Sequence, residues 1–382
     1  IEIVDDYTLD FYLKNEKAGA FVTMLRVVRV VTEKAYNDSP DGMLTTPVGT
    51  GPYKLQEYIP GTSATFVKDE NYWQTDESLR CPRQQQNMDV FNIKIITDKS
   101  TIALALESGQ IDWTNNLMGT DVVNFDSMDG FTVGQVPSGN MINLLFNCAE
   151  GHPTSDINLR KALAYAIDAA AISYIVKGVY GTEAKWPINQ CALDCPDDSV
   201  MDYFYQQDLD LAREYLSKSS YNGEELRMIC DPNSGVRNAS VVMIDMFSEI
   251  GVNCKVDQYD DALYKSMEVG DGEEYDLDFI YMNSDGVYSY VGLRTLSGAN
   301  YANGLPRIYI QDDKLEELYN QAALVDSASP ESVTALLEYA CTEQCYIRPL
   351  LWYNGTHVWN DKVMTSEHLD LDGFCFGAFE LK

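Results

Sequence analysis

Residues 156–168 read Asp156-Ile-Asn-Leu-Arg-Lys-Ala-Leu-Ala-Tyr-Ala-Ile-Asp168. Their apolar members recur at i, i+3, i+4, i+7 and i+8, the spacing of one buried helix face: Leu159, Ala162, Leu163, Ala166 and Ile167. Asp156 is suited to be the N-cap, because its carboxylate can accept a hydrogen bond from the free N–H groups of the first turn. The stretch therefore predicts an amphipathic helix packed on the core.

Alternating strands and helices are predicted further towards the C-terminus. Strands are expected over 225–230, 252–257 and 275–282, with helices over 239–250 and 260–269 between them. Such alternation is typical of a mostly parallel sheet with helices packed on it. The chain is therefore predicted to have an α/β fold.

The charge balance excludes several classes of partner. The chain has 382 residues, enough for two or three domains, and its 27 Lys and Arg stand against 59 Asp and Glu, for a formal net charge of −32. Nucleic-acid binding depends on neutralising phosphates with Lys and Arg, so the balance argues against it, and it argues equally against anionic lipid. It favours a monomer that is kept apart from its neighbours by charge.

The nine cysteines are many for an intracellular protein. Cys230 and Cys254 fall in two predicted strands of one β-α-β unit, so a disulfide between them is geometrically reasonable if those strands are neighbours. Other cysteines form two C-x3-C pairs, at 191 with 195 and at 341 with 345. A four-thiolate zinc site is the alternative use of these pairs, but their spacing is not that of a usual zinc knuckle, and no metal is predicted.

Motifs of catalysis are absent from the sequence. It contains no H-E-x-x-H, no G-x-S-x-G and no Walker A lysine. Gly49-Thr-Gly-Pro-Tyr-Lys54 lacks the third glycine of a dinucleotide fingerprint, and no helix is predicted after it. The chain is therefore predicted to be neither an enzyme nor a cofactor-binding protein. A secreted hydrolase stays an alternative, because a catalytic triad depends on geometry and not on sequence order.

Three stretches resemble the peptide/nickel-type solute-binding proteins, the extracytoplasmic receptors of oligopeptide and dipeptide ABC importers. Residues 156–168 are similar to the family's VR-ALAYAID signature, residues 49–73 to its GTGPY-L-----G----F--N--YW segment, and residues 109–112 to L-SGEID. The resemblance implies a two-lobed, periplasmic-binding-protein-like α/β fold of type II, of the peptide-binding class, with a two-strand hinge. The predicted strand Met141–Asn147 would be one half of that hinge.

The resemblance also implies an organisation and a function. Lobe one would comprise residues 1–143 with 367–382, and lobe two residues 144–366. An oligopeptide or dipeptide would be captured between the lobes and delivered to an ABC permease in the membrane. Relatives of this family also bind nickel chelates or oligosaccharides, so a non-peptide solute is the alternative.

Family members normally carry a further N-terminal segment, which is missing from the sequence. Gram-positive relatives also carry a lipidated N-terminal cysteine. We therefore expect an incomplete lobe one. We also expect an extracellular or periplasmic protein that is anchored to the membrane as a lipoprotein.

Candidate ligand-binding residues follow the predicted strands, because ligands of open α/β lobes gather at the carboxyl ends of the strands. The resemblance places Asp285 on the residue that binds the ligand's α-ammonium group, which needs a carboxylate partner when it leaves water. It places Arg237 near the residue that meets the ligand carboxylate, a group that guanidinium binds in bidentate fashion. Arg294 is a second candidate for that role. The alternatives are a turn-forming Asp285 beside Gly286 and an exposed Arg237 at a helix start.

Three residues at the end of the predicted strand 275–282 complete the predicted site. They are Tyr281, Met282 and Asn283. Tyr281, like Tyr288 and Tyr290, offers aromatic area with a polar handle. Met282 stands where the family has Trp, and the Asp-Pro pair that often follows is absent. These departures leave the identity of the ligand open.

Overall fold

The computed structural model describes residues 1–14, 16–197, 205–283, 287–297, 307–366 and 379–382. The strands in these ranges are β1 Glu2–Asp5, β2 Thr8–Asp10, β3 Tyr53–Ile59, β4 Ser63–Lys68, β5 Val90–Lys94, β6 Trp113–Thr114, β7 Phe131–Phe146, β8 Gly181–Glu183, β9 Leu226–Cys230, β10 Cys254–Asp257, β11 Leu277–Asn283, β12 Ile347–Asn360, β13 Met364–Ser366 and β14 Phe379–Leu381.

The α-helices in the same ranges are α1 Ala20–Val27, α2 Glu33–Asp38, α3 Lys99–Glu107, α4 Gly119–Asp126, α5 Ile157–Ala166, α6 Ala169–Lys177, α7 Leu209–Lys218, α8 Ser234–Glu249, α9 Asp261–Glu268, α10 Asp313–Ala323 and α11 Pro330–Leu337. Short 3-10 helices cover Glu77–Leu79, Pro82–Gln84, Pro153–Ser155, Gly178–Tyr180 and Ser289–Leu296, and a π-helical turn covers Glu338–Glu343. In this part of the chain no single helix is long and apolar enough to cross a membrane, and one bent pair, α5 with α6, passes by length and composition alone.

The chain divides into two compact units. The first contains residues 1–27, 139–176 and 181–353, and the second contains residues 28–138, 177–180 and 354–382. The N-terminal segment joins the first unit because it is hydrogen bonded to the end of α10: Ala18 N donates to Ala323 O at 2.7 Å, and Val325 N donates to Glu16 O at 2.9 Å. The predicted lobe bounds, which put residues 1–27 with lobe one, stay a prediction.

The first unit is built on a sheet in which the strand order is β10-β9-β11-β7-β12, with β8 beside β12. β9 runs parallel to both of its neighbours, since Leu226 lies opposite Cys254 and Met228 lies opposite Leu277. β7 runs antiparallel to β11. α8 and α9 connect the three parallel strands, so the predicted β-α-β alternation with a parallel sheet is confirmed.

The helix predicted at residues 156–168 is α5. Asp156 is its N-cap and accepts the N–H of Asn158 at 2.8 Å. Leu159 and Leu163 on the predicted apolar face are fully buried. The helix ends at Ala166, two residues before the predicted end, because Asp168 accepts the N–H of Ala171 at 2.9 Å beside the start of α6.

The core of the first unit contains two buried arginines, Arg160 and Arg348. Among the described residues, neither arginine is hydrogen bonded to a carboxylate. Arg160 on α5 donates to the carbonyls of Thr154, Ser155, Gln344 and Cys345 at 2.7–3.1 Å. Arg348 on β12 is fully buried and donates to three carbonyl oxygens, those of Ala164, Tyr205 and Pro349. Each guanidinium therefore joins segments that are distant in sequence through backbone carbonyls.

The second unit contains the antiparallel sheet β3-β4-β5 and a separate helical core. In that core α3 and α4 bury their apolar sides together with one residue of β12: Ile102, Leu106, Val122, Phe125 and Val358. β6 pairs with the end of β12, where Val358 lies opposite Thr114.

The disulfide predicted between Cys230 and Cys254 is wrong. The strands are neighbours, but their register puts Cys254 opposite Leu226, four residues before Cys230. At about 3.3 Å per residue this separates the two Cα atoms along the strands by roughly 13 Å, about twice what a disulfide spans. Eight cysteines are described and all eight are free thiols. Within the same ranges, no group of three or more His, Cys, Asp or Glu is arranged to hold a metal ion.

Candidate ligand-binding site

β9 and β11 run side by side in the first unit, and β11 extends four residues beyond the residue opposite the end of β9. Cys230 ends β9 opposite Phe279 of β11, and the N–H of Asp231 donates to Phe279 O at 3.0 Å. β11 continues to Asn283, which pairs with Asn140 of β7. Loops and helix starts at this edge can therefore present their side chains to one ligand.

Arg237 is placed at this edge by the start of α8. Asn233 is the N-cap of the helix and accepts the N–H of Gly235 at 3.0 Å. The half-buried Arg237 follows in the first turn, and one of its terminal amino groups donates to Tyr259 O. Its Nε is buried and has no hydrogen-bond partner among the described residues. Arg237 thus keeps one buried N–H group without an acceptor in this part of the chain.

Asp231 is the carboxylate at the same edge. Its Oδ1 accepts the N–H of Asn233 at 2.8 Å, which forms the turn that leads into α8. Burial, followed by the nearby carboxylates of Glu268 and Asp261, raises the pKa of Asp231. The charged form of this carboxyl group is thus less favourable here than in water.

Two tyrosines complete the edge from β11 and β12. The hydroxyl of Tyr281 donates to Asn140 Oδ1 at 2.7 Å, and its ring centroid lies 6.2 Å from that of Tyr353. Burial, then Tyr281 and then Asp231, raises the pKa of Tyr353 well above its usual value. Of the two tyrosines, Tyr353 is thus the one whose pKa the charge of Asp231 affects.

The sequence matches one protein family over most of its length. The model of the bacterial extracellular solute-binding proteins, family 5 (middle), matches residues 1–303. The chain belongs to this family. The members of this family are, by its description, bacterial extracellular solute-binding proteins.

Individual relatives of this family 5 protein bind several kinds of ligand, according to their names. It is 27% identical over 278 residues to the heme-binding protein A of Haemophilus influenzae, covering 69% of this chain and 48% of that protein. It is 24% identical over 275 residues to the dipeptide-binding protein of Escherichia coli, covering 68% and 48%. The chain thus spans about half the length of these curated relatives.

A solved structure shares the fold. The ABC transporter-associated periplasmic binding protein DppA of Helicobacter pylori, in complex with the peptide STSA, superposes with a TM-score of 0.80. The alignment covers 100% of this chain and 73% of that one at 19% identity. The predicted α/β, two-lobed fold of the type II peptide-binding class is thereby confirmed.

The other predicted site residues of this family 5 protein do not all lie beside Arg237. Met282 is in the core, where its sulfur accepts a hydrogen bond from Asn143 Nδ2 at 3.2 Å. Arg294 is exposed on the 3-10 helix Ser289–Leu296, and Asn283 ends β11. Asp285 lies outside the described residues. Arg237, Tyr281 and the backbone of Asn283 are thus the parts of the predicted site that lie at this edge with Asp231.

Asp231 was missed by sequence reasoning. The available signal was its position, since it directly follows the last residue of a predicted buried strand and precedes Pro232 and Asn233. An acidic residue at that point belongs to the carboxyl end of the strand, where ligands gather. The many other Asp and Glu of the chain hid this signal.

A buried charge cluster lies behind the edge, between β11 and α9. Asp278 is fully buried, and its Oδ1 accepts the hydroxyl of Tyr264 at 2.8 Å, whereas its Oδ2 has no partner among the described residues. Arg307 pairs with Glu268 of α9. Burial, followed by the charge of Glu268, raises the pKa of Asp278 to about 8. Burial and the neighbouring negative charge therefore favour the protonated form of Asp278 in this cluster.

Proposed function

We propose that this protein binds peptides outside the cytoplasm and delivers them to the permease of an ABC importer. The observation that carries the proposal is Arg237, whose buried Nε is left without a partner at the carboxyl edge of the sheet. A peptide always offers a carboxylate, and guanidinium is the side chain that binds this group in bidentate geometry. Relatives named for dipeptide and oligopeptide binding support the choice of ligand.

The acidic composition and the family membership both support a location outside the cytoplasm. A net charge of −32 disfavours contact with anionic phospholipid and nucleic acid, and the family's members are extracellular. A monomeric state and lipid anchoring at the cell membrane stay predictions.

Peptides with a free carboxyl terminus are expected to bind much more tightly than their amides. Isothermal titration with Ala-Ala-Ala and its C-terminal amide measures the difference. We expect the amide to bind about 30- to 100-fold more weakly, or roughly 2–3 kcal/mol, because it lacks the charge for Arg237. Arg237→Gln should weaken binding of the peptide with the free carboxyl terminus to the same extent. The variant should then bind the free peptide and its amide with equal affinity.

Arg213→Gln is the matched control. Arg213 lies on α7 and pairs with the exposed Asp210 at 3.2 Å, so its loss should leave peptide affinity unchanged. Equal binding of free and amidated peptide would exclude Arg237 as the carboxylate ligand. If the protein binds no peptide but binds a nickel–histidine chelate or an oligosaccharide, the proposed peptide ligand is wrong and the alternative, a non-peptide solute, is correct.

A further inference from the structure

Two buried oxygen atoms on neighbouring strands of the first unit have no hydrogen-bond donor among the described residues. They are Oδ2 of Asp278 on β11 and Oδ1 of Asn143 on β7, and both residues are 0% exposed. A buried oxygen without a donor is costly, so two of them on paired strands require an explanation.

The strand register places these two side chains on the same face of the sheet. Asn143 lies opposite Ile280, so Asp278 and Met282 are its two diagonal neighbours on β11. Residues two apart on a strand share a face, and Asn143 Nδ2 donates to the Met282 sulfur at 3.2 Å on that face. Diagonal neighbours lie roughly 7–8 Å apart, which the Asp and Asn side chains can span with one hydrogen bond between them.

The orientation of both polar groups directs the two oxygens towards each other. Nδ2 of Asn143 is directed to Met282, so Oδ1 lies on the opposite side of the planar amide, the side of Asp278. Asp278 uses its Oδ1 to accept the Tyr264 hydroxyl at 2.8 Å, which leaves Oδ2 for another partner. Two acceptor oxygens that face each other repel unless one of them carries a proton.

We infer that Asp278 and Asn143 form a proton-binding pair, in which the protonated Oδ2 of Asp278 donates a hydrogen bond to Oδ1 of Asn143. One proton then satisfies both oxygens. When that proton is lost to water, the Asn143 amide turns to donate to the carboxylate and gives up its bond to the Met282 sulfur. Met282 lies between Tyr281 and Asn283 at the end of β11, so the pair is a pH-sensitive switch on the strand of the candidate site.

The titratable groups around Asp278 set the pH at which the pair changes. Burial, followed by the charge of Glu268, raises the pKa of Asp278 to about 8, and Asp231 acts in the same direction. Arg307 and the hydroxyl of Tyr264 act in the opposite direction, and Arg307 is paired with Glu268. Three further groups have pKa values that are raised by burial and also by the charge of Asp278: Cys230, Tyr275 and Tyr309.

The methyl group of Met282 reports the state of the pair in the intact protein. In protein labelled with carbon-13 at the methionine methyl groups, its NMR signal is the one that Met282→Leu lacks. We expect the chemical shift of this signal to titrate with a midpoint near pH 8. Met228 is the matched control, because it lies opposite Leu277 and therefore on the other face of the same sheet, so its shift should not follow this titration.

Two variants assign the titration to the pair. Asp278→Asn retains a group that can donate to Asn143, so the Met282 signal should lose its pH dependence. Tyr264→Phe removes a donor that favours the ionised carboxylate, so the midpoint should rise by about one pH unit.

Three results would overturn the inference. A Met282 shift that stays constant between about pH 6 and 9 would mean that Asp278 is ionised throughout and that water donates to both oxygens. Titration that persists in Asp278→Asn would assign it to another group. An unchanged midpoint in Tyr264→Phe would likewise exclude Asp278 as the titrating group, and this result does not depend on how Asp278→Asn folds.

Discussion

Arg160→Met is expected to lower the free energy of unfolding by about 3–5 kcal/mol, because it leaves buried carbonyl groups without donors. Arg160 is 3% exposed and makes five hydrogen bonds. They connect α5 with the 3-10 helix Pro153–Ser155 on one side and with the end of the π-helical turn on the other. Methionine fills much of the same volume and donates to none of these carbonyls.

Urea unfolding followed by far-UV circular dichroism measures this change in stability. Arg213→Met is the matched control, because Arg213 is half exposed, and exposed ion pairs contribute about 0–1 kcal/mol. Arg160→Lys should recover only part of the loss, since one ammonium group cannot reach the carbonyls on both sides. A loss below about 1 kcal/mol in Arg160→Met would show that water or relaxed backbone satisfies the carbonyls.

Asp278→Asn is expected to stabilise the protein at high pH and to have little effect at low pH. The folded pKa of Asp278 is raised from 3.8 to about 8, so the folded state holds a proton that the unfolded state releases. This group's contribution to stability is therefore fully present below pH 3.8 and is lost as the pH rises to about 8. Asparagine never takes the charge, so at pH 9 the variant should exceed wild type by on the order of 3–5 kcal/mol.

Several groups face Asp278 and act on its charge. Glu268 and Tyr264 approach from α9, Arg307 from the segment before α10, and Asp231 from the end of β9. Each remains in the variant, and stability curves of both proteins measured from pH 4 to pH 9 show how the whole group responds when the carboxyl group of Asp278 is removed. Asp245→Asn, an exposed change on α8, should follow the wild-type pH dependence. Parallel curves for Asp278→Asn and wild type would show that Asp278 is ionised throughout.

Local signals in the sequence were sufficient for the central helix and the parallel sheet. The Asp156 cap and the apolar spacing of α5 depend on residues within one or two turns of each other, and strand alternation likewise needs few neighbours. The partners of Arg160 could not be read in this way. Its carbonyl acceptors at Gln344 and Cys345 come from a segment 184 and 185 residues away.

Strand register and the pairing of charged side chains could not be predicted from the sequence either. Apolar alternation predicted that β9 and β10 are strands but contained no information on which residues face each other, so the Cys230–Cys254 disulfide was wrong. Arg237 was predicted through a family resemblance. The charged groups that act on Asp231, namely Glu268, Asp261 and Lys265, all belong to α9, so the surroundings of this carboxylate could not be read from its own stretch of sequence.

The two compact units are interleaved along the sequence, so neither can be separated as one continuous fragment. The backbone passes from one compact unit to the other after residues 27, 138, 176, 180 and 353, so neither unit is a contiguous stretch of sequence. No single cut in the gene yields a fragment that contains one unit whole and nothing of the other. The exchangeable parts of this protein are therefore its surface turns, such as Pro60-Gly61 between β3 and β4, where inserted sequence would interrupt only one unit.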